Sequence, residues 1–261
     1  MWLDLPAPVI IAHRGDSVHA PENTLAAFNL AMQNGAVAIE FDVKLTIDGH
    51  VVVIHDQTAD RTTDGSGRVT QMRLAELKEL DAGSWFSAQF RSEHIPTLDE
   101  VFTGLDKRLY MNIELTNYTT PFDALVPRVV ELVKRHNLQS RILFSSFYAR
   151  NLKHVQTLLP EVPYGLLTLP GWMGMWGRTF GWRAHYQTFH PHYSDVYSSM
   201  VNRVHAQGKR LNVWTVNGEA DMRRMLGMGV DGLITDDPAS ARRLLGRKFS
   251  PPFLPLMHRN G

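Results

Sequence analysis

Three acidic residues in this sequence have the types and spacing to build a centre for handling an anionic group. Glu40 and Asp42 alternate with apolar side chains in Ala38-Ile39-Glu40-Phe41-Asp42-Val43. On an extended strand alternate side chains share a face, so both carboxylates point one way while Ile39, Phe41 and Val43 point the other. The stretch Leu109 to Thr116 repeats the pattern, with Asn112, Glu114 and Thr116 on a polar face and Met111, Ile113 and Leu115 on an apolar one. Brought together from neighbouring strands, Glu40, Asp42 and Glu114 repel one another until something positive intervenes. Arginine or lysine partners would serve, and so would an oxygen-loving dication such as Mg²⁺ or Ca²⁺. The chain has no cysteine, so any metal here is left to carboxylate, histidine or carbonyl ligands.

Two histidines accompany the acids. His13-Arg14-Gly15 closes an apolar run, Val9 to His13, and His55 closes another, Val51 to His55. Imidazole titrates near neutral pH, which suits a general acid and a general base, although a histidine at a strand end also serves as an ordinary hydrogen-bonded structural residue. Arg14 suits phosphate, because the planar guanidinium makes two charge-assisted bonds at once. In Pro21-Glu22-Asn23-Thr24 either Asn23 or Thr24 can cap the helix that follows. His190 and His192 have a spacing that a metal can use, but the structural reading is preferred for them.

Positioning these residues requires a scaffold of alternating strands and helices. Short apolar runs recur at Val9 to His13, Ala38 to Val43, Leu109 to Thr116, Ile142 to Phe147, Gly165 to Leu169, Thr188 to Pro191, Leu211 to Val216 and Gly232 to Thr235. Between most of them lie amphipathic stretches: Thr24 to Asn34, Leu98 to Leu105, Phe122 to Arg135, Ala149 to Leu158, Asp195 to Gln207 and Glu219 to Met228, with Pro238 to Leu245 after the last. This alternation predicts an α/β fold, a (β/α)8 TIM barrel with strand ends forming a catalytic rim. Val51 to His55 breaks the alternation. It follows the second run after only Thr46-Ile47-Asp48-Gly49-His50, too short for a parallel crossover, so it should fold back as a β-hairpin turning at Asp48-Gly49 and bring His55 toward Asp42. A small insertion is expected at about 56–97, with a short helix near Leu74 to Leu80, and an apolar loop rich in Gly, Met and Trp at about 170–184. The tail from Ser250 has three prolines and no periodicity. The expectation is one barrel domain over 1–261.

Composition narrows the function classes. Twenty-seven basic residues nearly balance 26 acidic ones, for a formal net charge of +1, so the global charge asks for no nucleic acid and any anion site is local. The first eight residues lack a basic segment followed by an apolar one, and no apolar run reaches the roughly 18 residues of a membrane span. A soluble, cytoplasmic protein is expected.

With these residues in place, the sequence resembles the glycerophosphodiester phosphodiesterase family of the phosphatidylinositol-phospholipase-C-like barrels, from about Ile10 to Leu245. The resemblance is carried by His13-Arg14-Gly15, Pro21-Glu22-Asn23-Thr24, Ile39-Glu40-Phe41-Asp42-Val43 with Leu45-Thr46 and Asp48-Gly49, and Val52-Val53-Ile54-His55-Asp56. It continues in Pro96-Thr97-Leu98, Asn112-Ile113-Glu114, Ser145-Ser146-Phe147, Val213-Trp214-Thr215-Val216-Asn217 and Asp231 to Pro238. It implies that Glu40, Asp42 and Glu114 bind Mg²⁺ or Ca²⁺, that Arg14 and the metal hold a phosphodiester, and that His13 and His55 are the acid–base pair. It also implies hydrolysis of a glycerophosphodiester to sn-glycerol 3-phosphate and an alcohol, with Glu22 supporting the site and Trp214 walling the glycerol or alcohol moiety. One position departs: family members commonly carry Lys two residues beyond the third acid, where this chain has Thr116. Lys44, another residue or a second ion would then supply the cation, or the preferred substrate differs. Two alternatives accompany this reading: a non-catalytic phosphodiester-binding barrel, and a lysophospholipase D-type enzyme. The second would use the loop Gly171-Trp172-Met173-Gly174-Met175-Trp176-Gly177 through Phe180 and Trp182, with Arg178 and Arg183, to meet a lysophospholipid or membrane surface. The same loop would otherwise be a lid packed near Trp85 and Phe86.

Overall fold

The computed structural model describes residues 1–105, 108–175 and 185–246. Among these residues nine strands run in chain order: β1 (Val9–His13), β2 (Ala38–Leu45), β3 (Val51–Val53), β4 (Tyr110–Leu115), β5 (Ile142–Ser146), β6 (Tyr164–Thr168), β7 (Thr188–Pro191), β8 (Arg210–Val213) and β9 (Gly232–Thr235). All except β3 pair in parallel in the order β1-β9-β8-β7-β6-β5-β4-β2, and a direct β1–β2 ladder closes the ring. The fold is therefore the expected eight-stranded (β/α)8 barrel. β3 lies outside the ring, antiparallel to β2, with Val43 opposite Val53 and Leu45 opposite Val51. The turn between them places Gly49 at φ 84°, a left-handed conformation that glycine adopts without steric cost. From this hairpin the Ile54 amide donates to the Asp42 carbonyl at 3.0 Å, which carries His55 to the barrel rim.

Among the described residues eight helices accompany the strands: α1 (Leu25–Gln33), α2 (Leu74–Lys78), α3 (Leu98–Gly104), α4 (Leu125–Arg135), α5 (Ala149–Leu158), α6 (Ser198–Ala206), α7 (Glu219–Gly227) and α8 (Pro238–Leu245). α4 illustrates why they dock. Leu125, Val126, Val129, Val130 and Val133 recur at helical spacing and are buried, while Arg128, Glu131 and Arg135 remain in water. Thr97 caps α3 reciprocally with Glu100, and Asp237 caps α8, whose first residue is Pro238.

Strand alternation sorts the core into two regions. Ile39, Phe41 and Val43 of β2 with Met111, Ile113 and Leu115 of β4 join the helices in the large outer cluster. Val9, Ile11, Ala38, Leu143 and Ile234 pack with Trp2 in a smaller cluster of their own. The barrel is thus filled rather than hollow, and the polar side chains Glu40, Asp42 and Glu114 occupy strand positions further toward the C-terminal ends. The insertion after the hairpin packs through Val69, Leu77, Ala82 and Ile95 against Val52 and Ile54 of the hairpin segment.

Differences from the sequence expectation are confined to boundaries. The run Leu211 to Val216 forms a strand only to Val213, because Trp214 makes a single bridge to His192 before the chain turns. Asp195 belongs to a 3-10 turn (Tyr193–Asp195) ahead of α6 rather than to the helix itself. Of the apolar loop, the structure describes a 3-10 turn at Gly171–Gly174 and Met175. Trp176, Gly177, Arg178, Phe180, Trp182 and Arg183 lie outside the described residues, as does the tail from Ser250. No helix among the described residues is long and apolar enough to cross a membrane.

Candidate active site

β2 and β4 are in register with Glu40 opposite Asn112 and Asp42 opposite Glu114. This pairing gathers one carboxylate oxygen each from Glu40, Asp42 and Glu114 within 4.8 Å of one another. Glu40 and Asp42 are buried, and Glu40 Oε1 is a buried acceptor with no hydrogen-bond partner. Burial, reinforced by the charge of Asp42, pushes Glu114 up to about 8. Burial and the charges of Asp42 and Glu114 also hold Glu40 well above the ordinary carboxylate range. Asp42 escapes this: burial would raise it too, but Arg14, His55, Lys44 and His13 overcome that and hold it low. The arginine expected as a competing partner is present, with Arg14 Nε 3.4 Å from Asp42 Oδ2. Arg14 and the nearby Lys44 do not neutralise three acids, and the orphaned oxygen together with an all-oxygen donor set fits a hard dication such as Mg²⁺ or Ca²⁺.

Arg14 is set by an unusual piece of backbone at the end of β1. It sits at φ 56°, followed by Gly15 at φ 88°, and a Cβ on Gly15 would come within 2.7 Å of the Ala27 carbonyl carbon. Only glycine lets α1 approach so closely, which accounts for Gly15 in the motif. The turn directs the Arg14 amide at Glu40 Oε2, 3.2 Å away, and its Nη1 at Glu22 Oε1, 2.8 Å away. Sequence left the cap of α1 to Asn23 or Thr24. The structure assigns it to Thr24, whose hydroxyl accepts from the Ala27 amide. Asn23, at φ 59°, instead donates from Nδ2 to Asp42 Oδ2 at 3.1 Å. Left-handed backbone at a non-glycine residue is strained, and here it occurs twice beside the acidic cluster.

Each histidine is backed by a carboxylate. His13 Nδ1 lies 2.6 Å from Asp236 Oδ1, and His55 Nδ1 lies 2.6 Å from Asp56 Oδ1. With Nδ1 engaged, Nε2 is the ring atom left to face a substrate in both cases. Asp236 also accepts from Asn217 and Ser17; burial would raise it, but His13 first, then these two bonds, keep it below the usual range. Asp56 is depressed chiefly by its hydrogen bonds from Arg61.

The departure at Thr116 has a structural counterpart. One step beyond the Val43–Leu115 pair of the β2–β4 register, Lys44 stands beside Thr116. Its ammonium donates to Thr116 Oγ1 at 2.7 Å and to the Thr116 carbonyl at 3.4 Å. Lys44 is buried, and burial lowers its pKa despite the nearby charges of Asp42, Glu114 and Asp56. β2 therefore places a cation next to the position where a lysine on β4 would have stood.

His13, Arg14, Glu40, His55 and Glu114 line one cleft of about 220 Å³, whose apolar lining is Phe147, Leu167, Leu169, Trp214 and Ile234. Trp214 is held by a hydrogen bond from Nε1 to the His190 carbonyl at 2.9 Å and by edge contact with Phe147. A second hollow bearing Lys44, Thr116 and Tyr118 adjoins it through His55, Glu114 and Phe147. Beyond Leu169 the chain exposes Trp172 (81%), Met173 and Met175 to solvent. His190 takes no part in the cluster. It is buried against Thr188 and Asn212, and burial drives it down to about 3, so it is neutral. His192 contacts Trp214 and Ser194, which agrees with the structural reading.

Sequence reasoning missed Asp56, Arg61, Asp236 and Tyr118 as parts of the site. Asp56 and Asp236 stood inside quoted motifs, adjacent to His55 and to the end of β9, but adjacency in sequence does not show which side chain an acid meets. Tyr118, which donates to Glu114 Oε1 at 2.8 Å, had no signal beyond following β4.

Comparison with known proteins gives a consistent result. Residues 13–240 match the Glycerophosphoryl diester phosphodiesterase family. The chain is similar to a glycerophosphodiester phosphodiesterase of Caldanaerobacter subterraneus subsp. tengcongensis, at 42% identity over 91% of this chain and 97% of the relative. It is also similar to one of Bacillus altitudinis, at 34% identity over 90% and 97%. Among solved structures it resembles an Oleispira antarctica phosphodiesterase in complex with the product sn-glycerol-3-phosphate, with TM-score 0.80, 33% identity, and coverage of 92% of this chain and 97% of that one.

Proposed function

The chain belongs to the glycerophosphoryl diester phosphodiesterase family, and on that premise we propose that it hydrolyses glycerophosphodiesters to sn-glycerol 3-phosphate and an alcohol, dependent on Mg²⁺ or Ca²⁺. The observation that carries this reading is a cluster of three carboxylates, two of which, Glu40 and Glu114, line one cleft with two histidines whose Nδ1 atoms are each held by an aspartate.

Glu40, Asp42 and Glu114 are the residues that would hold the ion, with Asn23 and Tyr118 fixing the orientation of two of them. When bound, a dication there supplies positive charge against the negative charge that gathers on the non-bridging phosphate oxygens. Arg14 presents a second positive group at the same rim. The oxygen that attacks phosphorus, from water directly or from a neighbouring substrate hydroxyl whose cyclic diester water then opens in a second step to the monoester, loses its proton to Nε2 of one histidine. The bond from phosphorus to the leaving alkoxide breaks, and Nε2 of the other histidine supplies that oxygen with a proton. Asp236 and Asp56 keep both rings in the tautomer that makes Nε2 available and stabilise whichever ring is charged. Trp214, with Phe147 and Leu167, would pack against the carbon skeleton of the glycerol or the alcohol. The whole chain, 1–261, is proposed to act as one such domain.

The experiment is release of sn-glycerol 3-phosphate from glycerophosphocholine by protein stripped with chelator and then given Mg²⁺ or Ca²⁺. Activity that returns with the ion supports the reading, whereas undiminished activity in chelator removes the metal. No turnover with any glycerophosphodiester would favour the binding-protein alternative. A lysophospholipase D-type activity is a second reading, favoured by exposed Trp172, Met173 and Met175 beyond the apolar wall of the cleft.

A further inference from the structure

The insertion after the hairpin sends one side chain to the catalytic rim. Arg61 makes four hydrogen bonds there, Nε to Asp56 Oδ2 (2.7 Å), Nη2 to Asp56 Oδ1 (3.0 Å), Nη1 to Glu22 Oε2 (2.7 Å) and Nη2 to Glu22 Oε1 (2.8 Å). Both carboxylates are thereby clamped bidentately by one planar fork. Each of them also has a second task. Asp56 Oδ1 holds His55 Nδ1 at 2.6 Å, and Glu22 Oε1 accepts from Arg14 Nη1 at 2.8 Å. The result is a chain of hydrogen-bonded side chains, Arg14 to Glu22 to Arg61 to Asp56 to His55, running across the rim from β1 to the hairpin.

We infer that Arg61 is a positioning residue for the reaction, fixing the His55 imidazole by locking Asp56 against Glu22. His55 needs such help. Its side chain is 42% exposed, so packing confines the ring only in part, and its orientation rests on Asp56. Asp56 is itself partly exposed on a loop, and among the described residues its side chain's hydrogen-bond partner besides Arg61 is the ring it must orient. A carboxylate free to rotate toward water releases Nδ1, and the Nε2 proton is then misplaced for transfer. Glu22 would still be paired with Arg14, so the effect should fall on His55 more than on phosphate binding. Lysine cannot replace the fork, because a single ammonium does not span four oxygens in fixed geometry.

This inference rests on the proposed hydrolysis with His55 in proton transfer. The test compares the whole protein carrying Arg61→Ala, Arg61→Lys, His55→Ala and Arg61→Ala/His55→Ala, with glycerophosphocholine and saturating Mg²⁺ or Ca²⁺. Thermal melts establish that each variant is folded. Arg61→Ala is expected to lower kcat by about 10- to 100-fold with KM changed less than about 3-fold. Free guanidinium should restore part of the loss in this variant and none in wild type, while Arg61→Lys should remain impaired despite keeping its charge. In the His55→Ala background, removing Arg61 should cost less than about 2-fold. Losses that multiply in the double variant, a raised KM with unchanged kcat, or full activity in Arg61→Lys would each overturn the inference. If Arg61→Ala failed to fold, the Arg61→Lys kcat and its own cycle with His55→Ala would decide the matter. The underlying reading fails differently: wild type would then release no glycerol 3-phosphate, or His55→Ala would be fully active.

Discussion

Replacing Glu114 with Gln should make the metal-free protein more stable while abolishing its turnover. In the metal-free fold, burial and the neighbouring Asp42 charge raise Glu114 from an ordinary 4.5 to about 8. The unfolded chain ionises this group near 4.5, so the folded state is penalised progressively as pH rises from there to about 8, and the penalty is constant above. At pH 7, with about 1.4 kcal/mol for each pH unit above 4.5, the cost is on the order of 3 kcal/mol. Gln removes this titration and keeps an oxygen to accept from Tyr118, whose hydroxyl lies 2.8 Å from Glu114 Oε1. In chelator at pH 7 the variant should therefore melt several degrees above wild type, at roughly 2–4 °C per kcal/mol for a chain of this size. Near pH 4.5 the two should melt together. Saturating Mg²⁺ or Ca²⁺ should raise the wild-type Tm by preferential binding to the folded state, and should do so much less for the variant. Calorimetry at the two pH values, with and without the ion, checks each step. A variant less stable than wild type at pH 7 in chelator, or an equal Tm gain with the ion, would refute Glu114 as a strained ligand.

His13→Ala and His55→Ala should each lower turnover by about 10² to 10⁴ with little change in metal affinity, and a substrate with an activated leaving group should partly rescue whichever variant lacks the general acid; equal activity of His55→Ala and wild type would demote His55 to a structural role. Thr116→Lys should not improve the enzyme, because the new ammonium would enter beside the buried Lys44, whose Nζ is 2.7 Å from Thr116 Oγ1. A lower KM for glycerophosphocholine in that variant would show that Lys44 does not supply the missing cation. Trp172→Ser with Met175→Ser should reduce activity on micellar lysophospholipid much more than on soluble glycerophosphocholine if the exposed side chains enter a lipid boundary. An equal loss on both substrates would remove the lipid role.

The features legible in the sequence are those fixed by local periodicity and connection length. A two-residue period placed Glu40, Asp42 and Glu114 on one face, and a five-residue link required β3 to turn back as a hairpin. What periodicity cannot supply is the identity of the group that a side chain meets from elsewhere in the chain. His13 meets Asp236 across 223 positions and Arg61 meets Glu22 across 39; neither contact follows from the spacing of either residue. Lys44 is a clear instance. As a strand residue on the face of Asp42 it was one of several candidates for the missing cation, and only the β2–β4 register, with Asp42 opposite Glu114, set it beside Thr116. A shift of one residue would have turned it away, since register decides face as well as partner. Asn23 and Thr24 make the same point within four residues of chain: both are good caps, and the left-handed backbone at Asn23 separates them, giving Thr24 the helix and Asn23 the carboxylate of Asp42. Strands therefore supply the acids, whose direction repeats with the pleat, whereas the carboxylates that orient the histidines come from the loops that follow β3 and β9. Loop directions have no period to reveal them, so the aspartates that hold His13 and His55, unlike the histidines themselves, had to be found in three dimensions.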